Sequence, residues 1–153
     1  MGRHLAIALG VAVLLIPAGC GGKQRLTNEA YSRNVTTIFV QLGGRFRAAT
    51  PGRTQEEMSA SLRAMKIALD QAAGRLRPLV PPGDAEQRHR TLLSATRDYA
   101  RQVDLLRASV DFGDPATIAT HLREVTAPRV LQRTIRSLNA SGYRIPVTVV
   151  VLH

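Results

Sequence analysis

The sequence predicts an all-α protein: an antiparallel up-down-up-down four-helix bundle with an extended, β-branched C-terminal tail. Three observations carry that expectation. Apolar residues recur three and four apart along four successive stretches, the spacing that places them on one helical face. Each stretch opens on a capping residue and closes on Gly or Pro. The connections are short, so consecutive helices must run antiparallel.

The first helix is expected over residues 28–49, with Asn28 as N-cap and Tyr31, Val35, Ile38, Leu42 and Phe46 as its stripe, Phe39 beside it. Gly43 and Gly44 weaken its last turns and predict a bend or an early end. Thr50, Pro51, Gly52 and Arg53 form a turn. The second helix opens with Thr54 and Glu57 spaced as a capping box, in which each side chain satisfies the other residue's free amide. Met58, Leu62, Met65, Leu69, Ala72 and Leu76 follow as a heptad seam, ended by Pro78, Pro81, Pro82 and Gly83.

The third helix starts at Asp84 and Gln87, again spaced like a capping box. Its seam is Ala85, His89, Leu92, Thr96, Tyr99, Val103, Leu106 and Val110, widened by Leu93, Ala100 and Leu105. Phe112 and Gly113 close it. The fourth helix has Asp114 as N-cap and Pro115 in its first turn, where a missing amide costs nothing. Ile118, Leu122 and Val125 begin its stripe, and Leu131, Ile135 and Leu138 resume it. Pro128 between them is expected to kink or split the helix, and Ser141-Gly142 to stop it. The tail, residues 143–153, favours extended backbone, yet no other segment reads as a strand to pair with it. It is expected to pack on the bundle; strand addition to another chain is the alternative.

Residues before the bundle are different in kind. A short basic start is followed by Leu5 to Ile16 without a polar side chain, too short for the ~20 apolar residues of a membrane span. After Pro17 come Ala18, Gly19 and Cys20, the sole cysteine of the chain. One cysteine excludes an intrachain disulfide framework and a Cys-based zinc site. The segment resembles the bacterial lipoprotein signal peptide, with Ala18-Gly19-Cys20 matching the end of its lipobox and Pro17 standing where that family prefers Leu. The resemblance implies cleavage after residue 19, diacylglyceryl transfer to Cys20, and an extracytoplasmic, lipid-anchored location. Residues 20–27 are then the lipidated Cys and a short polar tether, and 28–142 the bundle.

The chemistry-bearing residues argue against catalysis. Glu86 and His89 form a Glu-x-x-His unit of the kind that builds di-iron bundles, which require a second such pair and two further Glu on facing helices. His121 has Ile118 at the matching position, and an antiparallel register puts it at the far end, so no metal and no cofactor are expected. His89 is expected to be partly buried and hydrogen-bonded near Tyr31 or a loop carbonyl; these two residues are the candidates if the interior holds a ligand. No Gly-x-Ser-x-Gly elbow occurs, and Gly21-Gly22 and Gly43-Gly44 lack a phosphate-loop context. Glu56-Glu57 and Asp111 with Asp114 sit at helix ends, where acids are expected for dipole reasons. Aromatics amount to 4% with no Trp, too few for a stacking platform for bases or sugars.

The basic excess is large. The chain holds 21 Lys and Arg, 19 of them Arg, against 11 Asp and Glu. Arg45, Arg47, Arg75, Arg77 and Arg136 complement helix C-termini. Arg97 with Arg101, and Arg129 with Arg133 and Arg136, form exposed sets on the third and fourth helices and are the candidate contacts for a polyanion. Outside the membrane the polyanions at hand are lipid headgroups and wall polymers rather than nucleic acid; a solvated surface is the alternative. Leu76, Arg77, Pro78, Leu79, Val80, Pro81 and Pro82, then His89, Leu92, Tyr99, Leu106, Gly113, Asp114, Gly142 and Tyr143, are similar to small actinobacterial lipoproteins that read as helical bundles. That resemblance implies location and fold, and no activity. The expected function is a non-catalytic, envelope-tethered binding or scaffolding module whose partners are the membrane, through its anchor, and an anionic polymer or protein. The alternatives are a small-ligand or metal carrier and a basic module contacting anionic lipid or wall polymers.

Overall fold

The computed structural model describes residues 24–49 and 52–146. The expected signal peptide, the expected lipid site at Cys20 and tail residues 147–153 lie outside these. Among the described residues five α-helices build the fold: α1 (Asn28–Ala48), α2 (Gln55–Leu76), α3 (Glu86–Phe112), α4 (Pro115–Glu124) and α5 (Ala127–Ala140). Together α4 and α5 occupy the place of the fourth helix, and the architecture is an all-α four-helix bundle. The longest helix, α3, is its hub, packing against α2, α4 and α5, while α1 packs against α2.

Local chemistry explains most of the boundaries. Thr27, one residue before the expected Asn28, caps α1: its hydroxyl accepts from the Ala30 amide at 3.2 Å. The helix runs through Gly43 and Gly44 to Ala48, because buried Leu42 and Phe46 flank the pair and hold it in the core. The capping box at Thr54 and Glu57 is complete in both directions. Gly113 ends α3 in the left-handed region at φ 74°, and Gly142 follows α5 at φ 90°, conformations that a side chain disfavours.

Every expected seam position of α3, from Ala85 to Val110, is buried. On α2 the seam holds from Leu62 to Leu76, but Met58 is 36% exposed and Ser59 is buried in its place. Met58 lies in the first turn, at the rim where the bundle runs out. Leu105, expected to widen the α3 stripe, is 50% exposed, and Leu122 is 48% exposed. No residue of α4 is buried; Ile118, and Val125 just beyond the helix, pack partly against the core.

The fourth helix is split rather than kinked. Its two halves are separated by Val125 and Thr126, because the ring of Pro128 cannot fit beneath the carbonyl of Glu124 in a continuous helix. The second capping-box expectation is corrected too. Gly83–Ala85 is a 3-10 turn, the α3 N-cap is Ala85 with no side-chain bond, and the Asp84 carboxylate accepts from the Tyr143 hydroxyl at 2.9 Å. A phenol has displaced the backbone amide as its partner.

The start of the tail packs on the bundle in strand-like alternation, with Tyr143 and Ile145 buried and Arg144 and Pro146 exposed. Asn139 on α5 holds it: its amide donates to the Ile145 carbonyl at 2.8 Å and its oxygen accepts from the Ile145 amide at 2.9 Å. A side chain thus supplies the pairing that a neighbouring strand would.

Candidate functional site

Tyr31 and His89 meet in the interior, as their seam positions require. The Tyr31 hydroxyl lies 3.1 Å from His89 Nδ1, and both residues are buried. Burial pushes the Tyr31 phenol well above its ordinary range and holds the His89 imidazole below its usual value. With the phenol protonated and the ring neutral, the two share one hydrogen bond whose donor is set by the imidazole tautomer. The Tyr31 ring also meets His89 and Tyr143 edge-on, with centroids 5.7 and 5.6 Å apart. Tyr143, pushed up to about 12 by burial and by its bond to Asp84, extends the cluster to the 3-10 turn. The result is a chain of polar groups joining α1, α3 and the tail. Among the described residues no buried side-chain polar atom lacks a partner, so the pair directs its hydrogen bonding inward, as a packed interior does.

His121 sits at the other end of the bundle. The Ser109 hydroxyl donates to the Leu105 carbonyl at 3.0 Å and accepts from the His121 ring. Ser109 and His89 are twenty residues apart on one helix, or about 30 Å. Among the described residues no three His, Cys, Asp or Glu side chains are grouped to hold a metal ion. Of the paired acids, Glu57 and Asp114 act as caps, while Asp111 pairs with Arg107. Glu57 is held low by the Thr54 and Arg53 amides, and Asp114 by the Thr117 hydroxyl and then the Ala116 and Thr117 amides.

The arginines singled out from the sequence are all exposed, and hydrogen bonds between α3 and α5 set their heights. Gln102 Oε1 accepts from the Thr126 and Ala127 amides, each at 3.1 Å, and Arg88 Nε donates to Ser137 Oγ at 2.9 Å. Arg101 therefore stands near the level of Arg129, and Arg136 near that of Arg88. The five are spread along the bundle rather than gathered into one cluster. Arg101 pairs with Asp98, and no carboxylate lies against Arg97, Arg129, Arg133 or Arg136 among the described residues.

Sequence reasoning missed the docking of the segment before α1. The Leu26 amide donates to the Val80 carbonyl at 2.9 Å, Arg25 donates to the Pro81 carbonyl at 3.3 Å, and the same guanidinium reaches Glu86. The expected tether thus ends on the turn between α2 and α3. These are non-local contacts between residues whose types carry no pairing signal. Among the described residues no helix is long and apolar enough to cross a membrane. No protein-family model, curated protein or solved structure gives a match to this chain.

Proposed function

We propose that this protein is a non-catalytic binding or scaffolding module of the bacterial cell envelope, held to the membrane by a lipid on Cys20. The observation that carries this reading is the placement of the sole cysteine directly after an apolar run and Ala18-Gly19. The fold is consistent with it. A tightly packed bundle whose interior histidine is bonded to a tyrosine suits a rigid body presented at a surface better than a catalytic cleft. The excess of positive charge is suited to the anionic polymers and lipids of that compartment.

Two measurements test the reading. Intact mass of the protein recovered from membranes is expected to show a chain beginning at Cys20 and carrying diacylglyceryl. Cys20→Ser is expected to move the protein out of the membrane pellet or to leave an uncleaved precursor. A Cys20→Ser protein that stays in the pellet at unchanged size would sink the proposal.

A further inference from the structure

Charge is distributed unevenly along the bundle axis. One end is built from residues 24–33, 75–90 and 136–146, where α1 and α3 begin and α2 and α5 finish. It holds eight arginines against three acids. The opposite end, residues 45–49, 52–60 and 104–125, holds five arginines against six acids. Helix dipoles do not account for the difference. The basic end carries two helix N-termini and two C-termini, and the opposite end two N-termini and three C-termini, so dipole complementation would ask for no less positive charge at the opposite end. Arg88 moreover stands in the first turn of α3, where a positive charge opposes the dipole.

The acids at the basic end are already engaged. Glu29 pairs with Arg33, Glu86 with Arg25 and Arg90, and Asp84 accepts from Tyr143. All eleven acids of the chain lie within the described residues. Arg77, Arg136 and Arg144 remain exposed with no aspartate or glutamate against them. A groove of about 530 Å³ opens at this end, lined by Arg33 and Arg144 with Ser32 and Thr36, and by Glu29, whose carboxylate is paired with Arg33. Here too the chain leaves the bundle toward its N-terminus, fastened to the α2–α3 turn by Leu26 and Arg25. The five residues from Cys20 to Arg25 reach at most about 18 Å when fully extended.

We propose that this arginine-rich end is a docking surface for anionic phospholipid headgroups, on which the bundle stands with its opposite end directed away from the bilayer. The inference rests on the lipid-anchor reading for its orientation. A short tether keeps this end within about two Debye lengths of the headgroup plane, close enough for attraction to act. Guanidinium forks match phosphodiester oxygens in pairs, which suits Arg rather than Lys at such a surface.

Arginine footprinting of the full chain on vesicles tests the surface directly. Phenylglyoxal modification is read residue by residue by mass spectrometry, on phosphatidylglycerol and on phosphatidylcholine vesicles. On phosphatidylglycerol, modification of Arg77 and Arg144 is expected to fall several-fold while Arg45 and Arg47 react as in solution; high salt or phosphatidylcholine is expected to abolish the protection. The double substitution Arg77→Glu with Arg144→Glu is expected to lose the footprint at Arg136. Arg45→Glu with Arg47→Glu, equal in charge change, is expected to keep it. Protection of both ends alike, of the far end alone, or of neither overturns the proposal. So does protection by a soluble anionic wall polymer at concentrations where vesicles give none. Intact mass of the same preparation reads the anchor separately: an unlipidated chain with the footprint intact would refute the anchor and leave the docking surface standing.

Discussion

Burial of His89 against Tyr31 makes its imidazolium costly in the folded state, and the sign of the resulting pH dependence follows. The folded pKa lies below the unfolded value, so the unfolded chain binds the proton first as pH falls. The contribution is complete above about pH 6.5 and is lost as pH drops through that value toward the folded pKa. Urea unfolding at pH 7.5 and 5.5 is expected to show lower stability at the acid value, and His89→Gln is expected to flatten the difference. An undiminished slope in the variant would place the titration elsewhere. Tyr143 offers a second residue-scale test. Tyr143→Phe keeps the ring packed on Tyr31 but leaves Asp84 without its phenol donor, an expected loss of about 1 kcal/mol. Tyr143→Ala also empties a buried ring site, an expected loss of about 3–5 kcal/mol. Equal losses would mean that the ring contributes nothing beyond the hydroxyl.

Among the elements, α5 takes the cap of its first amides from a distant residue. Thr126 makes no side-chain cap bond, and Gln102, twenty-four residues earlier on α3, accepts from its amide and from that of Ala127. One side chain caps α5 and fixes its register on α3. Gln102→Leu is expected to cost about 1–2 kcal/mol, the size of a lost helix cap, and to speed hydrogen exchange at the α5 N-terminus more than in α2. Uniform exchange across both helices would show that Gln102 acts only through global stability. The α2 cap, by contrast, was legible because Thr54 and Glu57 are three residues apart and the whole device is local. Pro128 was legible as an interruption for the same reason: its ring forbids a continuous helix whatever packs around it. The failed expectation at Asp84 marks the limit, since a carboxylate at a helix start bonds to whichever donor the tertiary fold brings nearest, here a tyrosine 59 residues away.

Across the whole molecule, the number and direction of the helices follow from periodicity, caps and breakers, all properties of neighbouring residues. The heptad seam of α3 named its buried face without exception, because a helix long enough to span the bundle has no choice over which stripe it hides. The seam even placed Tyr31 and His89 within reach of each other, since both stand on inward faces near one end. Exposure of Met58, Leu105 and Leu122 could not be read in this way, because a stripe continues past the point where its partner helix ends. Net charge was likewise a property of composition alone. Its concentration at one end required the antiparallel stacking that brings residues 24–33, 75–90 and 136–146 together. By itself, then, the sequence determined the helices, their inward faces and the break at Pro128, since each depends on residues within a few positions. Only the tertiary structure decided the Gln102 cap, the seat of Tyr143 and the polarity of charge along the axis, since those depend on which distant residues the packed core makes neighbours.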